Sequence, residues 1–350
     1  MSGPAAEPAS NTWRQPAEWE PHDACWLAWP SHPEEWPGAG VLEGTRRAVA
    51  EMARALVSGE RVELLVLPGE SEETARRALD GVAVRYHHIP FGDVWLRDTG
   101  PIFLRAGAGP LVAACFGWNG WGGKYLFEHD AEVGGRIAEV AGARVVRYPM
   151  VLEGGAIEVD GEGTLLTTRQ CLLDPSRNPG MSEAQIERHL GVELGARRVL
   201  WLDRGLANDH TDGHVDTLAR FVAPGRVVCM EPSGRDDPNR DALAGVVRDL
   251  GGMRDASGRA LEVVRIPSPG RIESASGELA PASYVNFLVG NRAVLVPVYG
   301  APGDREVVEV LGELFPGRAV VPIDGRAAVV GGGAFHCMSR EQPAAGGIAP

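Results

Sequence analysis

One unit recurs along this chain: an apolar strand, a glycine-containing turn, a second apolar strand, then a helical stretch bearing Arg and Glu. Residues 156–173 read as a hairpin turning at Asp160, Gly161, Glu162 and Gly163. A helix is predicted over 182–194, with Ser182 as its N-cap and Gln185 three residues on. The pattern returns as strands 215–222 and 227–230 around Pro224 and Gly225, followed by a helix over 241–250. It returns again as strands 284–289 and 293–299 around Gly290 and Asn291, followed by a helix over 304–314. Upstream, 45–57 reads as a helix and 62–67 as a strand, while 94–104 and 111–116 form a hairpin around Gly107, Ala108 and Gly109. Alternating strands and helices make an α/β fold. A spacing of roughly 50–70 residues implies about five copies in one pseudosymmetric body. The 46 glycines and 26 prolines suit many short strands joined by tight turns. Residues 1–11 and 343–350 fall outside the pattern and are expected to be flexible ends, leaving 12–342 as a single domain.

Charge narrows the partners. The formal net charge of −13 repels nucleic acid and attracts a small cation. Lys124 is the only lysine and is followed by Tyr125, so the G-x-x-x-x-G-K-S/T phosphate loop is excluded. The five cysteines, Cys25, Cys115, Cys171, Cys229 and Cys337, form no C-x-x-C pair, which points to a reducing compartment. The first residues carry neither a basic nor an apolar leader segment, and no apolar run approaches the ~20 residues of a membrane span. A cytoplasmic location is the expectation.

Four polar clusters sit at ends of the strand pairs. Asp98 follows Trp95 and Arg97 just before Gly100 and Pro101, and Arg97 with Asp98 also reads as a structural ion pair. Glu153 precedes Gly154 and Gly155, which allow a ligand close to the backbone. In the third cluster, His214 and Asp216 lie two apart on a strand beginning near Gly213. They therefore share a face and offer a proton-transfer group beside an anion. His210, His214 and nearby carboxylates also read as a zinc site. The fourth cluster, Gly331 to Ser339, presents the thiol of Cys337 after three glycines. A lone Cys with His and acids elsewhere is the pattern of a thiol nucleophile, although most cysteines are small core residues.

Taken in order, these clusters resemble the agmatine deiminase family, also described as bacterial-type peptidyl-arginine deiminases, of the guanidino-group-modifying pentein superfamily. The matching blocks are PAEWEPHDACWLAWP at 16–30, WLRDTGPIF at 95–103, LEGGAIEVDGEGTLLTT at 152–168, TDGHVDTLARF at 211–221, NFLVGNRAVLVPVYG at 286–300 and GGGAFHCMSREQP at 331–343. The resemblance implies a five-bladed α/β propeller of ββαβ units with its site on the pseudosymmetry axis, and it suggests a homodimer. It further implies that Cys337 is the nucleophile, His214 the acid/base, Glu153 the partner of that histidine, and Asp98 and Asp216 the guanidinium ligands. Typical members carry Asn before the His-Cys pair and Asn-Gly-His upstream. Here those positions read Ala334, Phe335 and Asp212, Gly213, His214.

The chemistry agrees with these roles. A guanidinium is planar, stays charged and presents five N–H donors, so carboxylates in bidentate arrangement recognise it. Resonance makes its carbon a poor electrophile, which suits a thiolate nucleophile. No metal or organic cofactor is required. Agmatine, cationic at both ends, fits an acidic pocket better than arginine does. Trp95 and one of Trp118 or Trp121 are candidates to line its tail by cation–π contact, and Asp212 to meet the far amine. Deimination of free or peptidyl arginine, amidino transfer, and non-catalytic guanidine binding remain alternatives.

Overall fold

The computed structural model describes residues 13–107, 109–274 and 277–344. Ala108, the expected flexible end 1–11 and the last six residues of the expected flexible end 343–350 lie outside them. Among the described residues there are five sheets, each an antiparallel pair extended by a parallel strand. Four of them follow the chain directly. Ile102–Leu104, Val112–Gly117 and Arg144–Val151 form one, and Ile157–Val159, Thr164–Thr168 and Arg198–Leu202 the next. Ala219–Ala223, Arg226–Glu231 and Glu262–Pro267 form the third, and Leu288–Val289, Ala293–Val298 and Ala319–Asp324 the fourth. Each parallel strand is reached through a helix, as a parallel pairing requires: Asp130–Val140, Glu183–Leu194, Arg240–Gly252 and Asp304–Leu314 in turn.

The fifth sheet closes the ring. Ser339–Pro343, at the end of the described chain, pairs antiparallel with His22–Ala28, which runs parallel to Arg61–Leu65. Val84–His87 extends this sheet to four strands. This is the expected five-bladed α/β propeller, with the first blade completed by the last strand. Pro343 belongs to that strand, and the Ala344 amide donates to Pro21 O.

Local signals worked where they rest on short-range chemistry. Ser182 and Gln185 form the capping box, and the helix over 304–314 has the expected bounds. Val41–Leu56 starts four residues before the expectation and buries Val41, Thr45, Ala48, Val49, Met52, Ala53 and Leu56, an i, i+3/i+4 stripe against the sheets. Three expected strands are corrected. Residues 94–104 are not one strand, because Leu96–Thr99 winds into a helical turn ahead of Ile102–Leu104. Residues 215–222 and 284–289 likewise begin as turns, and their strands start only at Ala219 and Leu288. In every blade the apolar residues before the first strand belong to a buried turn.

Candidate active site

Those turns build the site. Each leads into the first strand of its blade, and several pack on one another at the centre of the ring. Asp98 lies on the turn Leu96–Thr99, Glu153 caps the turn Gly154–Ala156, and His214 caps Val215–Thr217, which holds Asp216. Cys337 lies on the turn before Ser339–Pro343. Asn286 stands on the corresponding turn before Leu288–Val289.

The reactive groups converge there. Cys337 Sγ–H donates to Asp216 Oδ2 at 3.4 Å, and Asn286 Nδ2 donates to the same sulfur at 3.1 Å. Asp98 accepts the Gly155 amide on Oδ1 and Trp121 Nε1 on Oδ2, both at 2.9 Å. His214 Nδ1 stands 3.8 Å from Asp98 Oδ1. His214 is fully buried and, among the described residues, neither of its ring nitrogens has a hydrogen-bond partner, and nor does the buried Asp216 Oδ1. A potential proton carrier, His214, thus lies beside Asp98 and Asp216, and Asp216 in turn contacts the thiol. Gly155 leaves the space between them, since a Cβ there would fall 2.6 Å from His214 Nδ1 and 3.0 Å from both Asp216 Oδ2 and Asp98 Oδ1.

Electrostatics differ sharply within this cluster. Burial pushes the Cys337 thiol well above its usual value, and the charges of Asp216 and Asp98 add to it. Burial also raises the Asp98 carboxyl, with Asp216 and Glu153 reinforcing it against the pull of His214. Asp216 is buried too, but the hydrogen bond and charge of His336 outweigh desolvation and hold it below the ordinary range. His336 reaches Asp216 Oδ2 at 2.7 Å through Nδ1 and Glu18 Oε2 at 2.8 Å through Nε2. Both ring nitrogens therefore face carboxylate oxygens, and the ring bridges Asp216 to Glu18.

A cavity of about 230 Å³ opens onto Cys337 and Asp98. Trp95 and Trp121 line it, with Tyr125, Phe127, His210 and the backbone of Gly331–Gly333. Trp95 Nε1 is fixed by Asp93 Oδ2 at 2.7 Å, and burial pushes the Asp93 carboxyl up to about 8. Trp121 takes a positive φ of 51°, which the flanking Gly120 and Gly122 accommodate, and Trp118 braces it edge-on at 4.6 Å.

Comparison with known proteins decides the family. Residues 14–343 match the Porphyromonas-type peptidyl-arginine deiminases. The chain belongs to this family. An agmatine deiminase of Pseudomonas aeruginosa is 38% identical over 369 residues, covering 98% of this chain and 99% of the relative. One of Stutzerimonas stutzeri is 38% identical over 367 residues with the same coverage. Among solved structures, the agmatine deiminase of Enterococcus faecalis superposes with a TM-score of 0.89 at 32% identity, covering 95% of this chain and 96% of that one. The chain is a hydrolase that acts on guanidino groups, as members of this deiminase family are.

In this deiminase, Cys337, His214, Asp98, Asp216, Trp95 and Trp121 are brought together, but by a different local geometry from that expected. His214 and Asp216 do not share a strand face; a single 3-10 turn carries the acid around beside its histidine. Trp121, rather than Trp118, lines the cavity. Glu153 ligates Arg177, whose Nε lies 2.8 and 3.1 Å from its two oxygens, with both side chains fully buried. Asp212 is absent from the cavity lining. Lys124 Nζ at 2.8 Å and Arg177 Nη1 at 3.0 Å already neutralise its carboxylate, so it is not available to a substrate amine. Glu34, Glu35 and Asp93 are the acids on the outer wall instead.

The zinc constellation is also rearranged. His210 lies on the cavity wall against Tyr125, while Glu153, Cys171 and His214 have donor atoms within 4.8 Å of one another. Arg177 occupies both Glu153 oxygens, and burial holds the Cys171 thiol protonated, so this donor set suits a metal dication poorly. Sequence reasoning marked Gly155 as a place of close approach but did not single out Asn286, His336 or Arg177 as functional. Aligning the five repeats turn for turn would have flagged Asn286, because it occupies the lead-in turn that in other blades carries Asp98, Glu153 or Cys337.

Proposed function

We propose that this protein hydrolyses agmatine to N-carbamoylputrescine and ammonia through an amidino group carried on Cys337. The observation that carries the substrate is the cavity wall. Among the described lining residues Glu34, Glu35, Asp93 and Asp98 are acidic, and none is Arg or Lys. A substrate cationic at both ends meets carboxyl groups and no competing Arg or Lys, Asp93 facing it largely in its neutral form, whereas the carboxylate of free arginine would find no cationic partner on this wall. The indoles of Trp95 and Trp121 flank an aliphatic tail. The names of the agmatine deiminases above support the same reading.

In the proposed mechanism the guanidinium docks on Asp98 and Asp216, and its arrival removes the acidic field that keeps the thiol protonated. The Cys337 proton passes to His214, and the thiolate adds to the guanidino carbon. The C–N bond to the terminal NH2 breaks as His214 returns its proton to that nitrogen, releasing ammonia. Water then loses a proton to His214 and adds to the amidino carbon, and the C–S bond breaks to regenerate the thiolate and release the ureido product. Glu153 is hydrogen-bonded to Arg177 and not to the histidine, but it lies within 4.8 Å of a His214 ring nitrogen, where its charge favours the protonated ring. Five free cysteines suit a reducing, cytoplasmic setting, and the product is one hydrolysis away from putrescine.

The test is to incubate the protein with agmatine, arginine and a blocked arginine peptide, measuring ammonia and ureido product beside Cys337→Ala. Ureido product from agmatine alone, absent in the variant, is expected. Turnover of arginine or the peptide in place of agmatine refutes the wall argument, and no turnover of any of them refutes the enzymatic reading.

A further inference from the structure

Asn286 stands on the fourth of the five lead-in turns, and its position is defined from both sides. Its Oδ1 accepts the amides of Ala334 at 3.0 Å and Cys337 at 3.3 Å. Two backbone N–H groups can only donate, so the carbonyl oxygen must face them and the NH2 must face the other way. That NH2 lies 3.1 Å from Cys337 Sγ and 3.3 Å from the Asp216 carbonyl. The sulfur therefore sits between a donor, Asn286, and an acceptor, Asp216 Oδ2. As a thiol it gives its hydrogen to Asp216, and as a thiolate it takes one from Asn286.

Resting on the deiminase reading above, we infer that Asn286 is a further catalytic residue, the fixed donor that holds the Cys337 sulfur once a bound guanidinium has claimed Asp216. The groups around the sulfur make such a donor necessary. Asp98 and Asp216 face it from two neighbouring turns, Tyr299 from the end of strand Ala293–Val298, and His336 acts only through Asp216. Asn286 is the group whose hydrogen bond pulls the thiol down against burial and both acids. When substrate binds, the S–H bond breaks and its proton goes to His214. The electron pair left on sulfur then accepts the Asn286 N–H. No charge has to enter with that donor, so guanidinium binding is not opposed, as it would be by a lysine or arginine in this place.

Asn286→Asp separates this role from a structural one, since it keeps the shape and the oxygen that accepts both amides but loses the donor. Asn286→Ala loses donor and acceptor without adding charge. The readouts are kcat and KM for agmatine, the pH dependence of iodoacetamide labelling of the Cys337 peptide, and Tm. Both variants are expected to lose roughly 10- to 100-fold in kcat, as for a hydrogen bond to a charged group, with no rise in KM. In both, the labelling midpoint is expected to move up by about one pH unit or more, while only Asn286→Ala loses Tm appreciably. Wild-type-like kcat and labelling in Asn286→Asp, with losses confined to Asn286→Ala, would reduce Asn286 to a backbone clamp and overturn the inference. Inactive wild-type protein would instead refute the agmatine reading, and the labelling profiles would still decide for or against Asn286.

Discussion

Gly155→Ala tests the packing of the site with a single methyl. The new carbon would stand 2.6 Å from His214 Nδ1 and 3.0 Å from one oxygen each of Asp216 and Asp98, where ordinary contacts begin near 3.4 Å. The histidine must retreat by about 0.8 Å, or the two acids must part, and a misplacement of about 1 Å costs on the order of 10²-fold in rate. The methyl also occupies the space between the two acids that a guanidinium needs. A loss of at least 10²-fold in kcat/KM is therefore expected, about 2.7 kcal/mol of transition-state stabilisation. Overpacking this buried cluster is expected to cost about 1–3 kcal/mol of stability, with no added backbone strain, because Gly155 is not among the positive-φ glycines. Steady-state ureido production read beside a thermal melt makes the comparison. Activity within fivefold of wild type would refute the geometry, and a loss that merely follows the unfolded fraction would refute the claim that the methyl acts on the site.

Other perturbations reach the surrounding groups. Arg177→Met leaves the Glu153 carboxylate buried without its cation and is expected to destabilise the fold by about 3–5 kcal/mol in urea unfolding, with Glu153→Gln added to it restoring part. A loss under 1 kcal/mol would mean that water reaches Glu153. Trp121→Phe keeps a ring on the wall but removes the donor to Asp98, and is expected to lower kcat/KM for agmatine about tenfold or more; an unchanged value would make that hydrogen bond incidental. The buried His22–Glu60 pair sets a pH test. Burial pushes His22 down, but the hydrogen bond and charge of Glu60 prevail and raise it above its usual value. Its contribution is complete below about pH 6.5 and fades as pH rises through the higher folded value. Glu60→Gln should therefore lower Tm most in mild acid and progressively less towards pH 9, and a gap independent of pH would refute the assignment.

Much of the fold was legible in advance because its signals are local. Ser182 and Gln185 satisfy each other across three residues, and the apolar spacing of 304–314 marks a helix face whatever packs against it. The lead-in turns were not legible. Leu96, Val215 and Val285 are as apolar as strand residues, and only their burial at the centre of the ring lets Leu96 and Val215 lie on helical turns and Val285 on the turn ahead of its strand. Asp212 reads as a free acid beside a histidine, yet Arg177 and Lys124 approach it from 35 and 88 positions away in the chain.

The sequence by itself determined the repeat, the α/β class and the set of reactive side chains, because each depends on residues near one another in the chain or on which residue types are present at all. Tertiary structure alone decided which of those side chains share a site. Closing the ring through Ser339–Pro343 and His22–Ala28 brings five turns to one centre. The partners that shift the Cys337 thiol and the Asp216 carboxyl are up to 239 residues distant, and their influence falls off over a few ångströms of space whatever the separation along the chain.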